Sequence, residues 1–184
     1  QAPLVGMLHW TASGASLPSE PVRLIVERNR LGTGWGAVYA TYRLPLAFVE
    51  RREQGLSLRL EFDDQSSSVE GRTLQVGDKQ TVRYVLRADQ DYEYVHLRLG
   101  RAACCEPVDA SSGYRYRFGL SYYQAVHDAS IDIFIERLPK GSYVFEIPYY
   151  ITRSGSYQQG VSEVQCLYAP EYRAFTSGAV LNVK

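Results

Sequence analysis

Ser121 lies in Gly119-Leu120-Ser121-Tyr122-Tyr123, which shares its first three positions with the G-x-S-x-G elbow of serine hydrolases. The closing glycine of that elbow allows the sharp strand-to-helix turn that lifts the serine out. Here Tyr123 takes its place, so Ser121 reads as a strand or loop residue. A base would have to come from His9, His96 or His127, and these form no H-x-x-x-H or H-E-x-x-H group. Asp128 follows His127 directly, which does not set a carboxylate behind the ring. All three histidines read as surface or half-buried polar residues. Asp63-Asp64 and the pair Asp89 and Asp91 resemble fragments of calcium loops, yet lack the glycine and distal glutamate of an EF-hand. Side-chain bonds that stabilise turns account for them. Cys104, Cys105 and Cys166 have no metal-ligand spacing. Neighbours on a strand point to opposite faces, so at most one of Cys104 and Cys105 faces the core with Cys166. Either Cys166 bridges to Cys104 or Cys105 in an oxidising compartment, or all three are buried free thiols. The residues assemble no catalytic site, and the chain reads as a non-enzyme without metal or cofactor.

The elements that would position such residues are strands. Leu56, Leu58, Leu60 and Phe62 alternate with Ser57, Arg59 and Glu61, a half-buried strand pattern. Val82, Tyr84 and Leu86 alternate with Arg83 and Arg87, interrupted by Val85. Val95, Leu97 and Leu99 oppose Tyr94, His96 and Arg98; Tyr114, Tyr116 and Phe118 oppose Arg115 and Arg117. Ile131, Ile133 and Ile135 oppose Asp132 and Phe134, and residues 142–150 and 161–168 are rich in aromatic and β-branched types. Residues 153–157 break the run between those last two. Turn clusters at 63–68, 77–78, 88–91, 109–113 and 138–141 separate the strands, and Pro139 with Gly141 marks the last. The best helical stretch, 122–130, is worth at most one turn. Short strands spaced by turns predict an all-β, antiparallel, immunoglobulin-like sandwich.

Composition narrows the function. Twenty basic and twenty acidic residues cancel, so the basic surplus that phosphate contacts demand is missing and no nucleic-acid partner is expected. No apolar stretch reaches the ~20 residues of a membrane span. Gln1-Ala2-Pro3 opens with neither a basic nor an apolar leader region, as in a mature chain or a piece of a larger one. Tyrosine is the outlier, 15 against 6 Phe and 2 Trp. A phenol packs like Phe while its hydroxyl reaches water, which suits half-buried sheet faces and interfaces.

The block from Arg137 to Gly178 carries L-P-K-G-S-Y, then R-S-G-S-Y, then L-Y-A-P-E. Upstream lie Val76-Gly77-Asp78 followed by Val82, Arg101 to Val108 with Ser112-Gly113-Tyr114, and Asp128-Ala129 with Phe134. In this order they resemble the last, C-terminal macroglobulin-like domain of bacterial alpha-2-macroglobulin family proteins over about residues 46–184. Trp35-Gly36-Ala37-Val38-Tyr39 resembles strands just after the thioester domain of that family. Cys104-Cys105-Glu106-Pro107 does not match the family's Cys-Gly-Glu-Gln thioester motif, since no Gln follows the Glu and Pro107 closes the tetrapeptide. The resemblance implies a macroglobulin-like β-sandwich of a bacterial protease trap in the periplasm or outer cell envelope, its parent open to lipid anchoring. Its partners would be other domains of the same parent chain, above all the thioester domain that it shields, and proteases indirectly. Tyr149, Tyr150, Tyr157, Tyr168 and Tyr172 are the interface candidates that this reading implies, because aromatic residues concentrate in interface cores.

A competing reading is a secreted or surface carbohydrate-binding sandwich that stacks sugars on Tyr114, Tyr116, Tyr122 and Tyr123. A glycan platform needs coplanar rings in solvent, whereas a docking domain needs an apolar patch with a polar rim. Residues 1–45 read as a separate β segment with strands at 4–10, 22–27 and 35–42, which either extends the main sandwich or, as the resemblance implies, completes a neighbouring domain of the parent. Residues 46–184 read as the sandwich domain.

Overall fold

The computed structural model describes residues 9–14, 23, 25, 27, 32–41, 43–62 and 73–184. The chain divides into two compact units, Gln1–Thr41 and Tyr42–Lys184. In the first, residues 33–41 lie outside any strand, unlike the strand expected over 35–42. The strands expected at 4–10 and 22–27 fall largely outside the described residues. Trp10, Ile25, Trp35, Val38 and Tyr39 are exposed.

The second unit begins with Pro45, whose carbonyl accepts the Phe48 N–H (2.9 Å) to close a 3-10 turn over Leu46–Phe48. Fourteen strands follow among the described residues: β1 (Arg52–Gln54), β2 (Leu56–Phe62), β3 (Thr73–Leu74), β4 (Lys79–Ala88), β5 (Tyr92–Gly100), β6 (Cys105–Pro107), β7 (Gly113–Arg117), β8 (Leu120–Val126), β9 (Ser130–Leu138), β10 (Gly141–Ile151), β11 (Gly155–Gln159), β12 (Glu163–Cys166), β13 (Arg173–Phe175) and β14 (Ala179–Val183). Residues 122–130 are strand and loop rather than a helical turn, since β8 pairs with β7 over residues 120–124 and with β9 over residues 122–126. The break expected at 153–157 is half strand, because β11 starts at Gly155 and pairs with β14.

Eleven strands form one sheet in the order β6-β10-β4-β2-β1-β13-β12-β5-β9-β8-β7, and β11-β14-β3 form a second. All pairings are antiparallel except that of β14 with β3. The long sheet turns at β1, which pairs with β13 along its three residues but with β2 only through Gln54 and Leu56. Its two arms then face each other. The Tyr84 hydroxyl on β4 donates to the Gly100 carbonyl on β5 (3.3 Å), and Tyr122 on β8 meets Phe145 on β10 edge to face, centroids 5.6 Å apart. The result is an all-β sandwich.

Between the arms lies one core. Leu56, Leu58, Tyr84 and Leu86 come from one side, and Val95, Leu97, Leu99, Ile131, Ile133, Ile135 and Val164 from the other, all buried. These are the inward phases that the alternation predicts for β2, β4, β5 and β9. Each large aliphatic side chain taken from water contributes about 1.5–3 kcal/mol, so this stripe dominates the stability of the unit.

One corner is closed by polar groups and two glycines. A Cβ on Gly100 would stand 2.6 Å from the Val161 carbonyl oxygen, and one on Gly160 would stand 2.8 Å from the Arg101 nitrogen. Only glycine lets these two backbones meet. Buried Ser162 accepts the Gly100 N–H (3.0 Å) and buried Gln159 donates to the Gly100 carbonyl (2.8 Å), so both backbone groups of Gly100 are satisfied at the crossing.

Candidate functional site

The residues that could do chemistry stay mostly in structural roles. Ser121 stands in β8 with its neighbours in ladder pairing, not on an elbow. The Asp89 carboxylate accepts from the Tyr92 hydroxyl (2.6 Å), and that of Asp91 accepts from the Lys140 N–H (2.7 Å), so both stabilise turns. Asp63 and Asp64 lie outside the described residues. The sheet does join two histidines that the sequence keeps apart. His96 Nε2 lies 2.8 Å from Asp132 Oδ1, and His127 Nε2 lies 3.5 Å from Asp132 Oδ2. The Ser130 hydroxyl donates to the same carboxylate (3.1 Å). It therefore points at the acid and not at a ring nitrogen, and the cluster holds the outer face of β5 and β9 together.

Cys104, Cys105 and Cys166 are free thiols, so the bridge from Cys166 is absent. Both Cys104 and Cys105 are buried, against the expectation that one would face outward. Alternation applies only within a strand, and Cys104 belongs to the turn before β6. Their sulfurs stand 3.9 Å apart. Burial, together with the neighbouring Cys104, pushes the Cys105 thiol up to about 12, so neither reacts readily as a thiolate.

The five interface candidates separate by strand phase. Tyr149 is only 1% exposed, because it shares the inward phase of Tyr143 and Phe145 on β10; burial pushes its phenol up to about 12. Tyr150, in the opposite phase, is exposed. Tyr157 and Tyr172 are half-buried against the core, Tyr157 donating to the Ser154 carbonyl (2.9 Å) and Tyr172 packing on Tyr92. Tyr168 is 81% exposed and stands apart from the rest.

Tyr168 belongs to a small aromatic tip. Its ring meets that of Tyr94 edge to face, centroids 5.1 Å apart, and the Leu167 N–H donates to the Tyr94 carbonyl (2.9 Å). Leu167 and Tyr94 are themselves exposed. Tyr94 has φ +53°, a conformation that bulky residues avoid, and the ladder from β5 to β9 resumes on either side of it. A strained backbone that fixes an exposed ring is a mark of functional surfaces. The sequence signal for Tyr94 was its place in the outward phase of β5, where an aromatic has no core to enter.

A second aromatic stripe crosses the outer face of β7, β8, β9 and β5. Tyr114 faces Tyr123, Tyr123 faces Phe134 and Phe134 faces His96 across adjacent strands. Tyr114, Tyr116 and Phe118 are exposed, contrary to the half-buried face that their alternation suggests. Strand β7 is the last strand of its arm, and its Tyr face turns away from the core. Tyr122 is buried beneath, and the rings of Tyr114 and Tyr123 are inclined at 71°, so the four tyrosines make no coplanar platform for a sugar.

The strands and single inter-arm core make an antiparallel β-sandwich of the macroglobulin-like class. The chain belongs to the bacterial alpha-2-macroglobulin MG10 domain family, whose model matches residues 55–171. It is similar in structure to a tyrosine-to-glycine mutant of Salmonella alpha-2-macroglobulin, with 16% identity, a TM-score of 0.60, and coverage of 74% of this chain and 10% of that one. Trypsin-activated alpha-2-macroglobulin from Escherichia coli gives 14% identity and a TM-score of 0.59, over 74% of this chain and 11% of that one. Native Escherichia coli alpha-2-macroglobulin spanning domain MG7 to the C-terminus gives 15% identity and a TM-score of 0.60, over 76% and 25%. The chain thus spans about a tenth of the length of the Salmonella protein it matches. No curated protein matches the sequence. Among the described residues no helix is long and apolar enough to cross a membrane.

Proposed function

We propose that this chain is a non-catalytic domain of a bacterial alpha-2-macroglobulin-like protease trap in the periplasm or outer envelope. Its aromatic tip of Tyr94, Leu167 and Tyr168 docks on the thioester domain of the same parent chain. The observation that carries this reading is the tip itself. Two rings and a leucine are held in water by a backbone bond and a strained residue, an apolar anchor ready to be covered. Covering it would exclude water and small nucleophiles from a thioester beneath until a protease cuts the parent. Membership of the MG10 family and the trypsin-activated state of a structural relative support the assignment to a trap. Residues 1–45, with Trp35 and Tyr39 exposed, would complete a neighbouring domain of the parent.

The test is methylamine attack on the full-length parent, followed by release of free thiol without any protease. Tyr168→Ala should speed release about tenfold or more if the tip contributes an anchor of the usual interface size. An intact thioester that reacts at the unaltered rate in Tyr168→Ala and in Tyr94→Gly refutes the shielding role. Removal of residues 1–45 should leave 46–184 folded; if the remainder unfolds, that segment belongs to the sandwich.

A further inference from the structure

Strand β7 has a ladder partner on one side only, β8, among the described residues. Residues Phe118 and Gly119 form the two-residue loop between them, with φ +54° and +75°. Both central residues in the left-handed region define the hairpin turn that fits strand twist, and it favours Asn and Gly. Phe118 holds it instead, with its ring exposed. In such a hairpin the closing pair, Arg117 and Leu120, exchanges backbone hydrogen bonds. The backbone groups of Tyr116 and Tyr114 therefore turn to the free edge.

Inside this edge the sandwich is open. A cavity of about 220 Å³ separates β7 from β10, with Tyr122 and Phe145 on its walls, Arg115, Arg117 and Phe118 at its β7 side, and two carboxylates, Asp109 and Glu146, that are each engaged by an arginine. The two strands that border it differ as edges. On β10 the Pro148 carbonyl accepts the Val108 N–H (2.9 Å), which sets the same side as the one where proline has no N–H to offer, and Glu146 is engaged by Arg83 (3.2 Å). On β7 no proline interrupts the edge. Arg115 is held by Asp109 (2.9 Å), whereas Arg117 has no ion pair among the described residues. The carboxyl of Asp109 is held below its usual range by the Ser111 hydroxyl and backbone first and by Arg115 after that.

We propose that the free edge of β7 docks an extended acidic peptide segment as an added strand. Its acidic side chains point inward to Arg117 and Arg115 at the cavity mouth, and its apolar side chains lie outward beside Tyr114 and Tyr116. Main-chain bonds to Tyr114 and Tyr116 supply the attachment, and the alternate side chains supply the choice of partner. The cavity matters because inward side chains of an added strand need room between β7 and β10. Charge selects the occupant. In a self-paired β7 centred on Arg115, two Arg115 side chains would face each other, and like charges directly opposite are unfavourable. An acidic strand reverses that sign.

The test uses the full chain and the capped pentapeptide Val-Glu-Val-Glu-Val, with Val-Lys-Val-Lys-Val as its control. Amide exchange at Tyr114 and Tyr116, read by NMR, should slow about tenfold or more with the acidic peptide and remain unchanged with the basic one. Arg117→Glu should weaken binding about tenfold, and Arg117→Gln less, with melting temperatures near that of the unaltered chain. Equal binding of both peptides, or protection that spares Tyr114 and Tyr116, overturns the proposal. Protection that grows with protein concentration and needs no peptide assigns the edge to a second copy and overturns it as well.

Discussion

Ile133 and Phe134 are neighbours on β9 and live in opposite surroundings. Ile133 is fully buried, opposite Leu97 on β5, while Phe134 is 41% exposed and lies on His96 with rings 4.7 Å apart and 9° from parallel. The inner face of this arm is made of β-branched and leucine side chains, which lock into place against the other arm. The outer face is made of rings, which keep one side on a neighbour and the other in water. The outer face mixes those rings with polar groups such as Asp132 and Arg98, whereas the inner face is apolar throughout β5 and β9. They differ in what covers them, and a face made of rings without cover is the kind of surface that meets a partner.

The sharpest way to break this contrast is to truncate both residues. Ile133→Ala should cost about 2–5 kcal/mol in denaturant unfolding, since a fully buried β-branched residue leaves a cavity that the two arms close only in part. A loss below about 1 kcal/mol would mean that the inner face is loosely packed and that the two faces are more alike than their exposure indicates.

Alkaline pH probes the inner face with a smaller effect. Burial raises the Cys105 thiol and the Tyr149 phenol to about 12, from 9.0 and 10.0. Folding therefore favours their neutral forms. Their stabilisation is complete below pH 9 and is lost as the unfolded chain ionises first, progressively between pH 9 and about 12. The denaturation midpoint should fall over that window, and Tyr149→Phe should reduce the fall above pH 10 without removing it, because burial raises the Tyr84 phenol as well. A midpoint unchanged between pH 8 and 11 would contradict the burial of both groups.

The smallest effect is expected on the outer face. Phe134→Ala should cost about 1 kcal/mol or less, the share of one half-exposed ring contact, and leave the unfolding transition cooperative. A cost near that of Ile133→Ala would show the aromatic stripe to be a second core and not a surface.

Much of the architecture can be read from local pattern. The phases of β2, β4, β5 and β9 follow from Leu58, Tyr84, Leu97 and Ile133, and the turns at 77–78, 88–91 and 138–141 follow from Gly, Asp and Pro. Tyr149 and Tyr150 could also have been separated, since adjacent strand residues point to opposite faces and Tyr149 keeps phase with Phe145. Pattern was less informative at the sheet margin. Tyr114 and Tyr116 alternate with Arg115 and Arg117 as cleanly as any core strand, yet β7 is an edge and its tyrosines lie outside. No local signal brings His96 and His127 to one carboxylate, because Asp132 reaches both only after β5, β8 and β9 are in register.

The sequence by itself determined that the chain is all-β, where about half of its strands lie, and which macroglobulin family it belongs to, because these depend on alternation, turn residues and motif order along the chain. The tertiary structure decided which apolar face is core and which is surface, that Cys104 and Cys105 are both buried, that β3 runs parallel to β14, and that Tyr168 leans on a strained Tyr94. The reason is physical. Alternation fixes only that two faces exist, and the free energy of covering a face depends on the strands that arrive from elsewhere in the chain.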